Sequence, residues 1–110
     1  MEGIISFGNK KSYDDFKKQI PSSVLPLFDS IREFCFSLSD KVVEDVRMHR
    51  VVFCKSMTFR WFADVKPERE GVIIKIQKNR KETIQIIQIR KDQKILEFSQ
   101  IIKDAFEEIH

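Results

Sequence analysis

Glycine is scarce in this sequence: Gly3, Gly8 and Gly71 are the only three among 110 residues. Loops that cradle phosphate need several glycines close together so that the backbone can approach the anion. Neither a GxGxxG fingerprint nor a P-loop is present, and nucleotide-dependent catalysis is disfavoured. Histidine is scarcer still, with His49 and the terminal His110 alone available as bases for a nucleophile. His49 stands five positions before Cys54, so on a strand the two side chains point to opposite faces and form no dyad. The two cysteines, Cys35 and Cys54, lie nineteen positions apart with no CxxC or HxxxH spacing around them. That pattern implies no metal site, no cofactor and no disulfide. Both sit among apolar neighbours, Phe34-Cys35-Phe36 and Val51-Val52-Phe53-Cys54, as small buried hydrophobes do. Long apolar runs are missing as well. Val42-Val43 and Ile86-Ile87 fall far short of the roughly 20 residues that a bilayer crossing takes. Met1-Glu2-Gly3 leads only into Ile4-Ile5 before Ser6, which is no secretory leader, so a cytoplasmic protein without membrane attachment is expected.

What is present suits one folded domain. The chain is 42% hydrophobic and 11% aromatic, with ten phenylalanines, enough to bury roughly 65% of its unfolded surface without staples. Charge is unevenly spread. Residues 1 to 46 carry six Lys/Arg against eight Asp/Glu, residues 47 to 91 carry twelve against four, and residues 92 to 110 carry two against five. A basic middle between acidic ends points to an acidic partner for the middle, or simply to a solubilised sheet flanked by acidic helices.

Residues 1 to 12 have no periodic pattern and are read as a flexible N-terminal segment ahead of a single domain over residues 13 to 110. Ser12 caps a short helix over about 13 to 19, with Asp14 and Asp15 in its first turn and Tyr13, Phe16 and Ile20 as its apolar stripe. Pro21 ends it. Ser22 or Ser23 then caps a second helix whose first turn accommodates Pro26, with a stripe of Val24, Leu27, Phe28, Ile31, Phe34, Cys35 and Leu38. From Val42 to Arg90 the composition turns to Val, Ile, Phe, Thr and Trp, and alternation replaces the helical period. Strands are expected over 42 to 46, 49 to 55, 58 to 65, 72 to 77 and 83 to 90, joined by short polar turns that suit an antiparallel meander. A last helix is expected from about 92 to 109, capped by Asp92, with Ile95, Phe98, Ile102, Ala105, Phe106 and Ile109 on one face. The class is therefore α+β: a two-layer sandwich in the order α-α-β(4 or 5)-α, with helices packed on one face of the sheet.

The third strand carries the question of function. If Phe59, Trp61, Ala63 and Val65 face the helices, then Thr58, Arg60, Phe62 and Asp64 face away, and the face that carries Trp61 decides the register. Phe62 is then displayed beside Arg60, with Arg50, Val52 and Cys54 on one side and Lys75 and Gln77 on the other. Such a surface reads as an ordinary half-solvated face, as a dimer interface through Phe62 and Val52, or as a stacking platform for nucleic acid. Lys78-Asn79-Arg80-Lys81, at a hairpin tip, is placed to meet phosphate. Asp64 and Glu68 with Lys75 could form a nuclease-like group around a divalent ion, but acids on hairpins are common and no catalytic residue is assigned.

With the elements placed, the chain resembles the prokaryotic domain of unknown function 5655 from about Tyr13 to Ile109. The likeness is carried by Pro21 to Leu38 (PSSVLPLFDSIREFCFSL), by Val51-Val52-Phe53-Cys54-Lys55, by Phe59 to Pro67 (FRWFADVKP) followed by Gly71 to Ile76, and by Phe98 to Phe106. That domain occurs alone in small proteins, in proteins labelled as transport proteins, and at the C-terminal end of some endonuclease-like proteins. The resemblance implies no agreed activity and no catalytic residues. This chain departs from it in passing from Ile76 to Ile84 through a short basic turn, where the family carries a longer segment with Gly and His.

The expectation is a non-enzymatic binding module that meets nucleic acid or an acidic protein through a basic sheet face and hairpins. The residues singled out are Arg50, Lys55, Arg60, Lys75, Lys78, Arg80 and Lys81 for phosphate and Phe62 for stacking. The alternative is a protein-interaction domain that homodimerises through the outer sheet face or an edge strand.

Overall fold

A computed structural model describes residues 12–58, 60–79 and 81–109. Apart from Ser12, the N-terminal segment lies outside the described residues, as do Phe59, Arg80 and His110. Ser12 caps helix α1 (Tyr13–Phe16), its Oγ accepting from the Asp15 N–H at 3.2 Å, and a 3-10 turn over Lys17–Gln19 extends the helix to Ile20. Ile20 is extended (ψ 129°), as the residue before a proline prefers. Helix α2 (Leu25–Ser37) starts later than a Ser22 or Ser23 cap would place it. The chain first makes a turn closed by Val24 N–H to the Pro21 carbonyl at 2.8 Å, and Val24 itself is the N-cap.

Five strands follow: β1 (Val43–Val46), β2 (Val51–Cys54), β3 (Trp61–Glu68), β4 (Gly71–Ile76) and β5 (Gln85–Arg90). Each pairs antiparallel with the next, giving one sheet in chain order. β3 runs through Pro67, a position expected to be a turn. Pro67 lies opposite Val72 and past Val51, where the pairing with β2 stops. The missing N–H is therefore not required by a neighbour, which is where a strand tolerates proline. The last helix, α3 (Ser99–Glu108), is shorter than the expected 92 to 109. A 3-10 turn over Ile95–Glu97 comes first, and Phe98 (φ −137°, ψ 1°) breaks the helical path while its ring is buried. Asp92 is not the cap; it pairs with Arg90 at 3.4 Å.

All three helices pack on one face of the sheet. The shared core holds Phe16, Phe28 and Ile31 from the N-terminal half, Val51, Phe53, Ala63, Val65, Val72, Ile74, Ile76 and Ile89 from the strands, and Ile102 and Ala105 from α3. Each fully buried Phe, Ile or Val contributes about 1.5–3 kcal/mol. Edge-on ring contacts bind the layers: Phe36 of α2 to Phe53 at 5.9 Å between centroids, and Phe106 of α3 to Phe62 at 5.2 Å. A polar clasp locks α1 and α2 to β1. Arg32 makes two hydrogen bonds to Glu44, lies 4.1 Å above the Tyr13 ring, and Tyr13 in turn donates to Asp29. The hydrogen bonds from Arg32 to Glu44 raise the guanidinium pKa, and burial together with Asp29 raises that of Tyr13.

Candidate nucleic-acid interface

The face of the sheet turned away from the helices is built by register. Val52 opposes Asp64, Asp64 opposes Lys75, and Lys75 opposes Ile86, so one row crosses from β2 to β5; Asp45 of β1 completes it opposite Val52. A second row runs Val43, Cys54, Trp61. The register shifts between Phe53 and Cys54: Phe53 opposes Ala63, but Cys54 opposes Trp61, leaving Phe62 as the extra residue of a β-bulge. The bulge overturns the expected placement. Ala63 and Val65 face the helices and Asp64 faces away as anticipated, but Phe62 turns inward with no exposed surface and packs on Phe106. Trp61 takes the outward position, half-buried and outside the helix-side core. Phe62 is therefore not a stacking residue. A dimer through Phe62 and Val52 fails for the same reason, since Val52 is only 4% exposed.

The cations also sort themselves. Lys55 points to the helix side, where its Nζ donates to the Ile109 carbonyl at 2.8 Å and lies 4.9 Å from the Phe106 ring, so it fastens α3 and is not offered to phosphate. Arg50 lies at the far end of β2 from Trp61, its Nε 3.3 Å from an Asp64 carboxylate oxygen. Arg80 lies outside the described residues. The remaining four belong to segments at or near one end of the sheet. Arg60 immediately precedes Trp61; Lys75 lies on the outer face of β4; Lys78 and Lys81 follow in the turn leading to β5. Gln77 ties that turn to β3 by donating from Nε2 to the Trp61 carbonyl at 3.1 Å and from its N–H to the Phe62 carbonyl at 3.2 Å. Asn79 shapes the turn, its Oδ1 accepting from the N–H groups of Lys81 (2.8 Å) and Glu82 (2.9 Å).

Among the described residues Asp64 is the one charged group that is buried, at 8% exposure. Burial raises its carboxyl pKa, against the opposing pull of Arg50, Lys75 and Arg47. Arg47 is itself held by Asp45 at 2.9 Å. The nuclease-like grouping does not assemble: Asp64 and Lys75 are cross-strand neighbours, but Glu68 lies four residues along β3, opposite Gly71 and 3.8 Å from Lys66. Among the described residues no group of three or more His, Cys, Asp and Glu side chains is placed to hold a metal ion, and no helix is long and apolar enough to cross a membrane. No disulfide joins Cys35 and Cys54. Burial raises the Cys35 thiol pKa, which keeps it protonated and unreactive.

Two features escaped the sequence reading. Trp61 and Phe62 are adjacent aromatics at the start of a strand, and strict alternation cannot tell which turns inward once a bulge intervenes. The clasp of Tyr13, Asp29, Arg32 and Glu44 joins residues up to 31 positions apart, and only the i, i+3 spacing of Asp29 and Arg32 on one helix face hinted at it. Comparison of the chain with family models, with curated proteins and with solved structures returns no match.

Proposed function

We propose that this protein is a non-enzymatic binding module that holds single-stranded nucleic acid at the Trp61 end of the sheet face turned away from the helices, with Trp61 as the stacking ring and Arg60, Lys75, Lys78 and Lys81 as phosphate contacts. The observation that carries the reading is that the chain's only tryptophan, at the start of β3, lies at the same end of the sheet as Arg60, Lys78 and Lys81, with Lys75 near the end of β4 on the face turned away from the helices. Single strands fit such a surface because every base has a stacking face and the backbone follows cationic side chains without a groove to match. The excess of Lys and Arg over residues 47 to 91 adds long-range attraction. The resemblance to a domain that is appended to some endonuclease-like proteins leans the same way.

Trp61 supplies the assay. As the only tryptophan it reports by fluorescence on its own surroundings. Short single-stranded oligonucleotides are expected to quench it in a saturable manner, with affinity falling as salt is raised because counterions are released from the phosphates. Unchanged fluorescence at millimolar oligonucleotide and low salt would contradict the reading.

A further inference from the structure

The sheet has two edges, and they differ. β1 is four residues long, and its two central side chains, Glu44 and Asp45, are charged and engaged with Arg32 and Arg47. Short length and charge are the usual means by which an edge is made unreceptive. β5 has neither. Its six residues, Gln85-Ile86-Ile87-Gln88-Ile89-Arg90, contain no proline and a single charge at the last position, and Ile86 is 63% exposed.

The backbone of β5 is polarised in a way that follows from the register. Lys91 N–H bonds to the Glu70 carbonyl at 2.8 Å, and Gly71 opposes Arg90. Hydrogen-bonded pairs alternate along an antiparallel ladder, so residues 85, 87 and 89 spend their N–H and C=O groups on β4, while residues 86, 88 and 90 turn theirs to the open edge. Arg90 bears this out, since its outward N–H is capped by Gln93 Oε1 at 2.8 Å. Among the described residues Ile86 and Gln88 have no such cap.

We infer that β5 pairs antiparallel with β5 of a second copy of this chain, about a two-fold axis at Ile86. This register sets Ile86 opposite Ile86 of the second copy and Ile84 opposite its Gln88, so every outward group on residues 84, 86 and 88 meets a complementary one. It also brings Glu82 level with Arg90 of the second copy, a charge match made twice by symmetry. Moving the axis to Ile87 sets Glu82 against Asp92, and moving it to Gln88 sets Ile86 against the Arg90 whose N–H Gln93 already occupies. The two sheets become one of ten strands with both outer faces on the same side. The contact uses no residue of the proposed oligonucleotide site, so the two proposals succeed or fail separately.

Sedimentation equilibrium of the full chain, from low micromolar to near-millimolar concentration, tests this. The mass is expected to rise from 13.1 kDa toward twice that value. Ile86→Lys, at an exposed position, is expected to weaken association at least tenfold while leaving the circular dichroism unchanged. Glu82→Lys and Arg90→Glu are each expected to weaken it, and the double exchange to restore it. Ile86→Cys is expected to form a covalent dimer on mild oxidation, whereas Gln88→Cys, displaced by four residues from its symmetry mate, is not. A monomer at near-millimolar concentration overturns the inference. So does a dimer that Ile86→Lys leaves intact, or one that cross-links through position 88 and not through position 86.

Discussion

Trp61 and Phe62 are neighbours in the chain that the β-bulge sends to opposite faces, and substitution should separate them cleanly. Phe62→Ala empties a fully buried site against Phe106 and is expected to cost about 3–5 kcal/mol, read as a lowered denaturant midpoint. Trp61→Ala is expected to cost about 1 kcal/mol in stability. It should weaken oligonucleotide binding by about 1–3 kcal/mol, measured by chemical-shift titration since the fluorophore is gone. Asp64 makes a prediction about pH. Its folded carboxyl is pushed above the ordinary value of 3.8, chiefly by burial, so the folded state holds a proton where the unfolded chain has released it. The stability contributed by this group is present below the unfolded pKa and lost as pH rises through the folded one. The stability difference between Asp64→Asn and wild type should therefore move in the variant's favour as pH rises from 3.8, levelling once the wild-type carboxyl is ionised. A difference that is flat with pH would show that the Arg50 and Lys75 charges cancel the burial effect.

Secondary structure was more legible than its limits. Among the described residues, apolar stripes and alternation identify the three helices and five strands, because each follows from burying one face of a regular element. The boundaries failed where a tertiary neighbour decides. Pro67 reads as a turn because the local sequence does not reveal that β2 stops short of it, and the helix expected over 92 to 109 is interrupted at Phe98, whose ring the core takes in. The β4–β5 pairing rests on Gly71 for a reason invisible in the sequence. A Cβ there would lie 1.9 Å from the Ile89 carbonyl oxygen, a backbone atom with no freedom to move aside. Gly71→Ala is expected to destabilise by about 1–3 kcal/mol or more and to release β5 first, seen as early amide exchange at Ile87 and Ile89. The clasp is a second element-level device. Arg32→Ala leaves Glu44 half-buried without its guanidinium and Tyr13 without the cation above its ring. A loss of about 1–3 kcal/mol is expected in thermal unfolding, with α1 and α2 loosened from β1.

For the molecule as a whole, the division of charge along the chain becomes a division in space. The sheet and its hairpins carry the excess cations, the C-terminal helix carries acids, and one sheet face is left without a described helix. The basic character of the middle segment was readable from composition, but the membership of the site was not. Of the eight residues singled out, Arg60, Lys75, Lys78 and Lys81 lie toward the Trp61 end of the sheet, while Phe62 enters the core, Lys55 fastens α3, Arg50 lies at the other end beside Asp64 and Arg80 is outside the described residues. One bulged residue accounts for the exchange of Phe62 for Trp61, and side-chain partners far along the chain account for the rest. The central claim is that the Trp61 end of the outer sheet face binds single-stranded nucleic acid, and amide chemical-shift mapping of the labelled protein with a short single-stranded oligonucleotide tests it most directly. The account predicts shifts at the Trp61 indole N–H and at the backbone of Arg60, Lys75, Gln77, Lys78 and Lys81, fading as salt is raised. Shifts confined to the helix layer, or none at millimolar oligonucleotide, would contradict it.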